Sequence, residues 1–124
     1  MKMITDKKRI EEIFARGTVV EVLPSKEELT ERLLTGERLK MYMGFDPTFT
    51  ALHLGHAKSI MFMEELRRLG HEIVILFGDF TARIGDPSDR NAARKQLTPE
   101  EVKNNVASWM EQVRPLIDFN DSEN

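Results

Sequence analysis

Strand, helix and strand follow one another between Arg38 and Phe77, and this succession constrains the fold more than any other feature of the chain. Residues 38–44 read as a strand. Residues 54–69 read as a helix that is mostly apolar apart from Lys58, Glu64, Glu65, Arg67 and Arg68, with Gly70 as its natural stop. Glu72 to Phe77 then holds Ile-Val-Ile-Leu-Phe, a nearly unbroken apolar run of the kind found in buried parallel strands. Together they make a βαβ unit, which crosses over right-handed in almost all proteins.

The flanks add helices. Residues 5–16 place Ile10, Ile13 and Phe14 on one stripe, with Gly17 to end the element, and Thr18 to Leu23 is a β-branched connection. Ser25 followed by Glu28 has the form of a capping box, opening a helix that buries Leu29, Leu33 and Leu34 and stops near Gly36. Thr98-Pro99-Glu100-Glu101 starts another, running to about Arg114 and burying Val102, Val106, Trp109 and Val113. The Met61-Phe62-Met63 cluster and Trp109 are expected in the core. Gly78 to Leu97 reads as one long polar loop, a length that in compact domains usually marks function or disorder. Parallel sheets normally hold more strands and are covered on both faces. About three strands are expected here, which is half of a doubly wound fold.

Composition sets outer bounds. A chain of 124 residues, 40% hydrophobic and 31% charged with net charge −3, is an ordinary one-domain protein with no global basic excess for nucleic acid. It has no cysteine, which removes disulfides and thiolate metal sites and suits a reducing compartment. No apolar run follows the charged start, and none is long enough for a membrane span, so a cytoplasmic location is expected.

The turn from the first strand into the helix carries the chemistry. Tyr42 to His56 reads Tyr-Met-Gly-Phe-Asp-Pro-Thr-Phe-Thr-Ala-Leu-His-Leu-Gly-His. His53 and His56, three apart across a helix start, can face one ligand beside free N–H groups and the positive end of the helix dipole, a place to hold phosphates. Gly44 and Gly55 bracket this loop and leave the backbone open to a ligand. Two histidines with Asp46 lack the ligand spacing of a zinc site, so no metal site is expected. The plain alternative is a histidine pair that caps the helix. Asp86, in Ile-Gly-Asp-Pro-Ser, stands beyond the second strand, where ligands of open α/β sheets bind, and a carboxylate there suits an ammonium. Its plain alternative is a turn-forming Asp-Pro. Arg90, Arg94 and Lys95 are either a clamp for polyphosphate or tRNA phosphates or a solvated charge run.

Taken together, Tyr42 to His56, Gly78 to Ser88 and Ala93-Arg94-Lys95-Gln96-Leu97-Thr98 resemble the bacterial tyrosyl-tRNA synthetases, class I aminoacyl-tRNA synthetases with a His-Ile-Gly-His signature. The similarity runs over roughly residues 38–120. It implies a partial Rossmann-like α/β fold, with an N-terminal helical segment at 1–36 and the N-terminal half of the catalytic domain at 37–124. The implied activity is ATP-dependent formation of tyrosyl-adenylate, then transfer to tRNA(Tyr), with Mg2+ accompanying the ATP. Residue by residue, Tyr42 falls on the position that bonds the substrate phenol, and Gly44 and Asp46 line the adenylate. Thr48 and His53 match the pair that stabilises the pyrophosphate. His56 and Ser59 fall at the ribose, with Gly55 between the histidines. Thr81 and Asp86 match the tyrosine pocket, and Arg90 and Arg94 a basic loop near the pyrophosphate.

Three positions depart from the family's pattern. Met43 stands where cysteine is common, Leu54 replaces isoleucine, and Asp89 stands where glycine is usual. The family's Lys-Met-Ser-Lys-Ser loop has no counterpart in these 124 residues. The expectation is therefore an N-terminal portion that charges tRNA poorly or not at all by itself. The family's homodimer interface is mostly absent from it. Two rival readings are a folded, inactive chain that self-associates through exposed core surface, and a small nucleotidylyltransferase, which also uses a His-x-Gly-His motif.

Overall fold

The computed structural model describes residues 2–84 and 96–120. Helix α1 spans Lys7–Ala15 and starts where Asp6 accepts the Arg9 N–H at 2.8 Å. Helix α2, Lys26–Thr35, is capped by Ser25 Oγ, which accepts the Glu28 N–H at 3.1 Å, and stops at Gly36 with φ 78°. Strand β1 is Lys40–Phe45, helix α3 Leu54–Arg68 and strand β2 Glu72–Phe77. Helix α4, Asp79–Ile84, follows β2 at once, and α5 is Pro99–Val113. At α5 both halves of the capping box form: Thr98 Oγ1 accepts the Glu101 N–H at 3.2 Å, and the Glu101 carboxylate accepts the Thr98 N–H at 2.7 Å.

The strands pair in parallel with Tyr42 opposite Val74 and Gly44 opposite Leu76. The βαβ expectation holds. Two expectations do not. The described residues form two strands rather than three, and the segment read as loop from Gly78 begins with α4. Its Asp79-Phe80-Thr81-Ala82-Arg83-Ile84 sequence has no breaker inside it, and Ala82 is buried. Gly78 in front and Gly85-Asp86-Pro87 behind made it read as loop.

Pleating sorts the sheet's two faces. Met41, Met43, Phe45, Ile73, Ile75 and Phe77 pack against a core of Ile10, Ile13, Phe14, Leu33, Ile60, Met63, Leu66, Leu69, Val113 and Ile117. The opposite face is open: Tyr42 is 75% exposed and Leu76 54%. β2 reads as a buried strand, and it is covered on one face only, with Val74 and Leu76 on the open side. Of the methionine–phenylalanine cluster in α3, Met63 is core, Phe62 is partly buried against it, and Met61 faces outward.

Beyond α3 the chain turns through Gly70, whose φ of 103° suits glycine and whose missing Cβ leaves room for Met3. The N-terminal segment is pinned there by Ile4 N–H donating to Leu69 O at 2.9 Å. Glu64 is buried yet ionised. Burial raises its pKa, but hydrogen bonds from Arg67 and Arg68 and from the Asp118 N–H outweigh that and hold it below the usual carboxylate value. These bonds tie the end of α3 to the chain after α5.

His71 lies fully buried at the start of β2. Its Nδ1 accepts the Leu39 N–H at 3.3 Å, so the ring proton sits on Nε2, which has no partner among the described residues. Burial, with the Arg38 charge adding to it, pushes its pKa below the ordinary 6.5. The unfolded chain therefore takes up this proton first. The part of the stability linked to His71 is complete above 6.5, declines as pH falls from there through its folded value, and changes no further below that. Thermal midpoints measured against pH should show this fall, and His71→Gln should make it shallower. An identical slope in that variant would put the proton uptake elsewhere.

Candidate functional site

The site is built where β1 ends and α3 begins. Strand alternation carries Tyr42 and Gly44 to the open face, and Asp46 follows at the strand's carboxyl end, exposed. Asp46 Oδ1 accepts a short hydrogen bond from Thr81 Oγ1, which ties the end of β1 to α4. A Cβ on Gly78 would collide with both of these partners. Gly78 is thus a site residue that sequence reasoning missed. The available signal was its position directly after β2, where a glycine permits close packing.

The His53–His56 pair does more than either sequence reading supposed alone. His53 is the N-cap of α3, and its Nδ1 accepts the Gly55 N–H at 3.1 Å. His56 Nδ1 accepts the His53 N–H at 3.3 Å, closing a capping box made of two imidazoles. The rings stack with centroids 3.7 Å apart. A Cβ on Gly55 would meet His53 Cε1 at 2.9 Å, so this glycine makes room for the ring rather than only for a ligand.

The cap has a chemical consequence. With both Nδ1 atoms accepting, a ring in its neutral form carries its proton on Nε2, and neither Nε2 has a hydrogen-bond partner among the described residues. Burial, with the neighbouring His53 charge, pushes the His56 pKa below the ordinary 6.5, so near neutral pH it is a donor without charge. The capping alternative and the ligand reading are therefore compatible. His56 is further fixed by Phe45, edge-on with centroids 5.6 Å apart, and by Trp109 at 4.8 Å. Trp109 was expected as core; it is buried, and it also touches the site. Ser59 Oγ donates to Gly55 O at 3.1 Å, leaving its lone pairs for a ribose hydroxyl.

Tyr42, Gly44, Asp46 and Thr81 thus share one side, and Thr48, His53, Gly55, His56 and Ser59 share the loop and helix start beside them. Asp86, Arg90 and Arg94 lie outside the described residues. Beyond the end of β2, a cleft of about 590 Å³ lies between α4 and α5, lined by Phe77, Phe80, Asp79, Arg83 and Lys103 among others. Among the described residues no three His, Asp or Glu side chains group as metal ligands, and no helix is long and apolar enough to cross a membrane.

The sequence matches the family described as tRNA synthetases class I (W and Y) over residues 34–123. The chain belongs to that family. Within it, the similarity lies with the tyrosine–tRNA ligases. It is 48% identical over 103 residues to tyrosine–tRNA ligase 2 of Pseudoalteromonas translucida, covering 83% of this chain and 25% of the relative. Against the tyrosine–tRNA ligase of Clostridium beijerinckii it is 40% identical over 114 residues, 92% of this chain and 28% of that protein. A C-terminally truncated mitochondrial tyrosyl-tRNA synthetase of Aspergillus nidulans superposes with TM-score 0.70 at 31% identity, covering 86% of this chain and 29% of that one. The chain therefore spans about a quarter of the length of the curated relatives it matches. The fold is of the class I, Rossmann-like kind. This membership favours the ligase reading over the inactive, self-associating one.

Proposed function

We propose that the β1–α3 corner is the nucleotide-facing half of a tyrosine-activating site. In activation the tyrosine carboxylate oxygen bonds to the α-phosphorus of ATP, and the bond to pyrophosphate breaks. Negative charge builds on the departing group, so catalysis rests on positioned donors and needs no protein nucleophile. His53 and Thr48 would meet the pyrophosphate, and His56 and Ser59 the ribose, with Gly55 between them. Gly44 and Asp46 would line the adenylate. Tyr42 and Thr81 would meet the tyrosine, with Asp86 on its amine, and Arg90 and Arg94 would approach the pyrophosphate. ATP arrives with Mg2+. Transfer to tRNA(Tyr) and assembly as a homodimer belong to the same reading for the whole protein.

The observation that carries the reading is the imidazole cap. It leaves two Nε2–H donors at a helix N-terminus, where the helix dipole favours an anion. Pyrophosphate exchange into ATP, run with tyrosine, with phenylalanine and with neither, tests it. Incorporation that requires tyrosine is expected, well below the rate of an intact ligase, with no tRNA charging. Exchange indifferent to the amino acid, or none from the folded chain, contradicts it.

A further inference from the structure

Helix α5 turns one polar stripe towards the loop between β1 and α3. Asn105, Ser108, Trp109 and Gln112 follow the i, i+3, i+4, i+7 pattern and so share a face. Asn105 Nδ2 donates to Pro47 O at 2.9 Å, and Trp109 Nε1 to Phe49 O at 2.7 Å. Ser108 Oγ and Gln112 Nε2 both donate to Thr50 O at 2.8 Å. Gln112 Oε1 accepts the Leu52 N–H at 2.9 Å, and its Nε2 reaches Ser108 Oγ at 3.0 Å, so both ends of the amide are committed.

Every loop partner in this set is a main-chain atom. The helix therefore fixes the loop's path without consuming the side chains of Thr48 and His53. We infer that this stripe of α5 is the positioning element of the site. It sets the path of residues 47–52, and through it the placement of Thr48 relative to the stacked histidines. Trp109 acts from the same helix on both parts, bonding the loop at Phe49 and packing its ring on His56. These four are positioning residues; none needs to touch a nucleotide.

The consequence for ligand binding rests on the nucleotide reading above, but the geometry does not. Gln112→Met keeps the length of the side chain and removes its donor and acceptor. Hydrogen exchange at the Leu52 amide should accelerate about tenfold, the loss of one hydrogen bond. The ring 15N signals of His53 and His56 should move from the pure Nε2–H tautomer towards a mixture as the loop slackens. Mg-ATP affinity should fall by roughly tenfold, as a small misplacement of binding groups implies. Ser108→Ala, with one Thr50 donor left, should shift the same readouts less, and it serves if Gln112→Met fails to fold.

Unchanged Leu52 exchange and unchanged tautomers overturn the inference. So does acceleration spread evenly over α3, α5 and the sheet, which would mean a general loss of stability. Should the unaltered chain take up no Mg-ATP, the nucleotide reading fails. The exchange and tautomer measurements then still decide the role of α5.

Discussion

Replacing His53 and His56 together by alanine is expected to weaken Mg-ATP binding about a hundredfold, since two hydrogen bonds to a charged ligand are lost at about 1.4 kcal/mol or more each. The same change removes the cap of α3, which by itself costs about 1 kcal/mol of stability. The two effects separate in a second variant. Asparagine is a good N-cap, so His53→Asn should recover most of the helix stability, yet it carries no imidazole Nε2–H. Calorimetric titration beside thermal melts gives both quantities. If His53→Asn restores ATP affinity along with stability, the imidazole serves the helix alone and the ligand role of His53 is wrong.

The largest effect on stability is expected from Trp109→Ala. Its ring is 1% exposed and lies against Phe45, His56 and Phe77, with its N–H bonded to the loop. Large-to-small changes at such aromatic sites cost about 3–5 kcal/mol, a large share of the 5–15 kcal/mol typical of a domain. Denaturant midpoints should fall accordingly. Trp109→Phe keeps most of the packing and should lose about 1 kcal/mol, the worth of the missing hydrogen bond. A loss below about 1 kcal/mol for the alanine variant would mean that α5 is not seated on this corner as described.

Much of this was legible locally. Gly36 and Gly70, the cap at Thr98 and the apolar run of β2 declared their elements, because caps, breakers and periodicity act over a few residues. The strand–loop–helix corner was legible for the same reason, with His53, Gly55 and His56 inside one turn. What escaped was the part made by contacts remote in sequence. Trp109 reads as a plain core residue until Phe49, 60 positions away, supplies its carbonyl. Gly78 looks like an ordinary turn glycine until Asp46 and Thr81 meet beside it. Nothing around His71 in sequence announces that Leu39, 32 positions earlier, will place its N–H on the ring. Helix α4 was hidden by the glycines on either side, which outweighed six residues with no strong preference of their own. The open face of the sheet was legible only indirectly, from a strand apolar on both sides in a chain too short to cover both.

The most direct measurement is a titration of the 15N-labelled chain with Mg-ATP, followed at the ring nitrogens of His53 and His56 and the amide of Gly55. The corner described here predicts saturable shifts centred on those signals and reaching the loop to Thr48, with none in the double alanine variant. Shifts elsewhere in the molecule, or none at this corner from a folded chain, would contradict it.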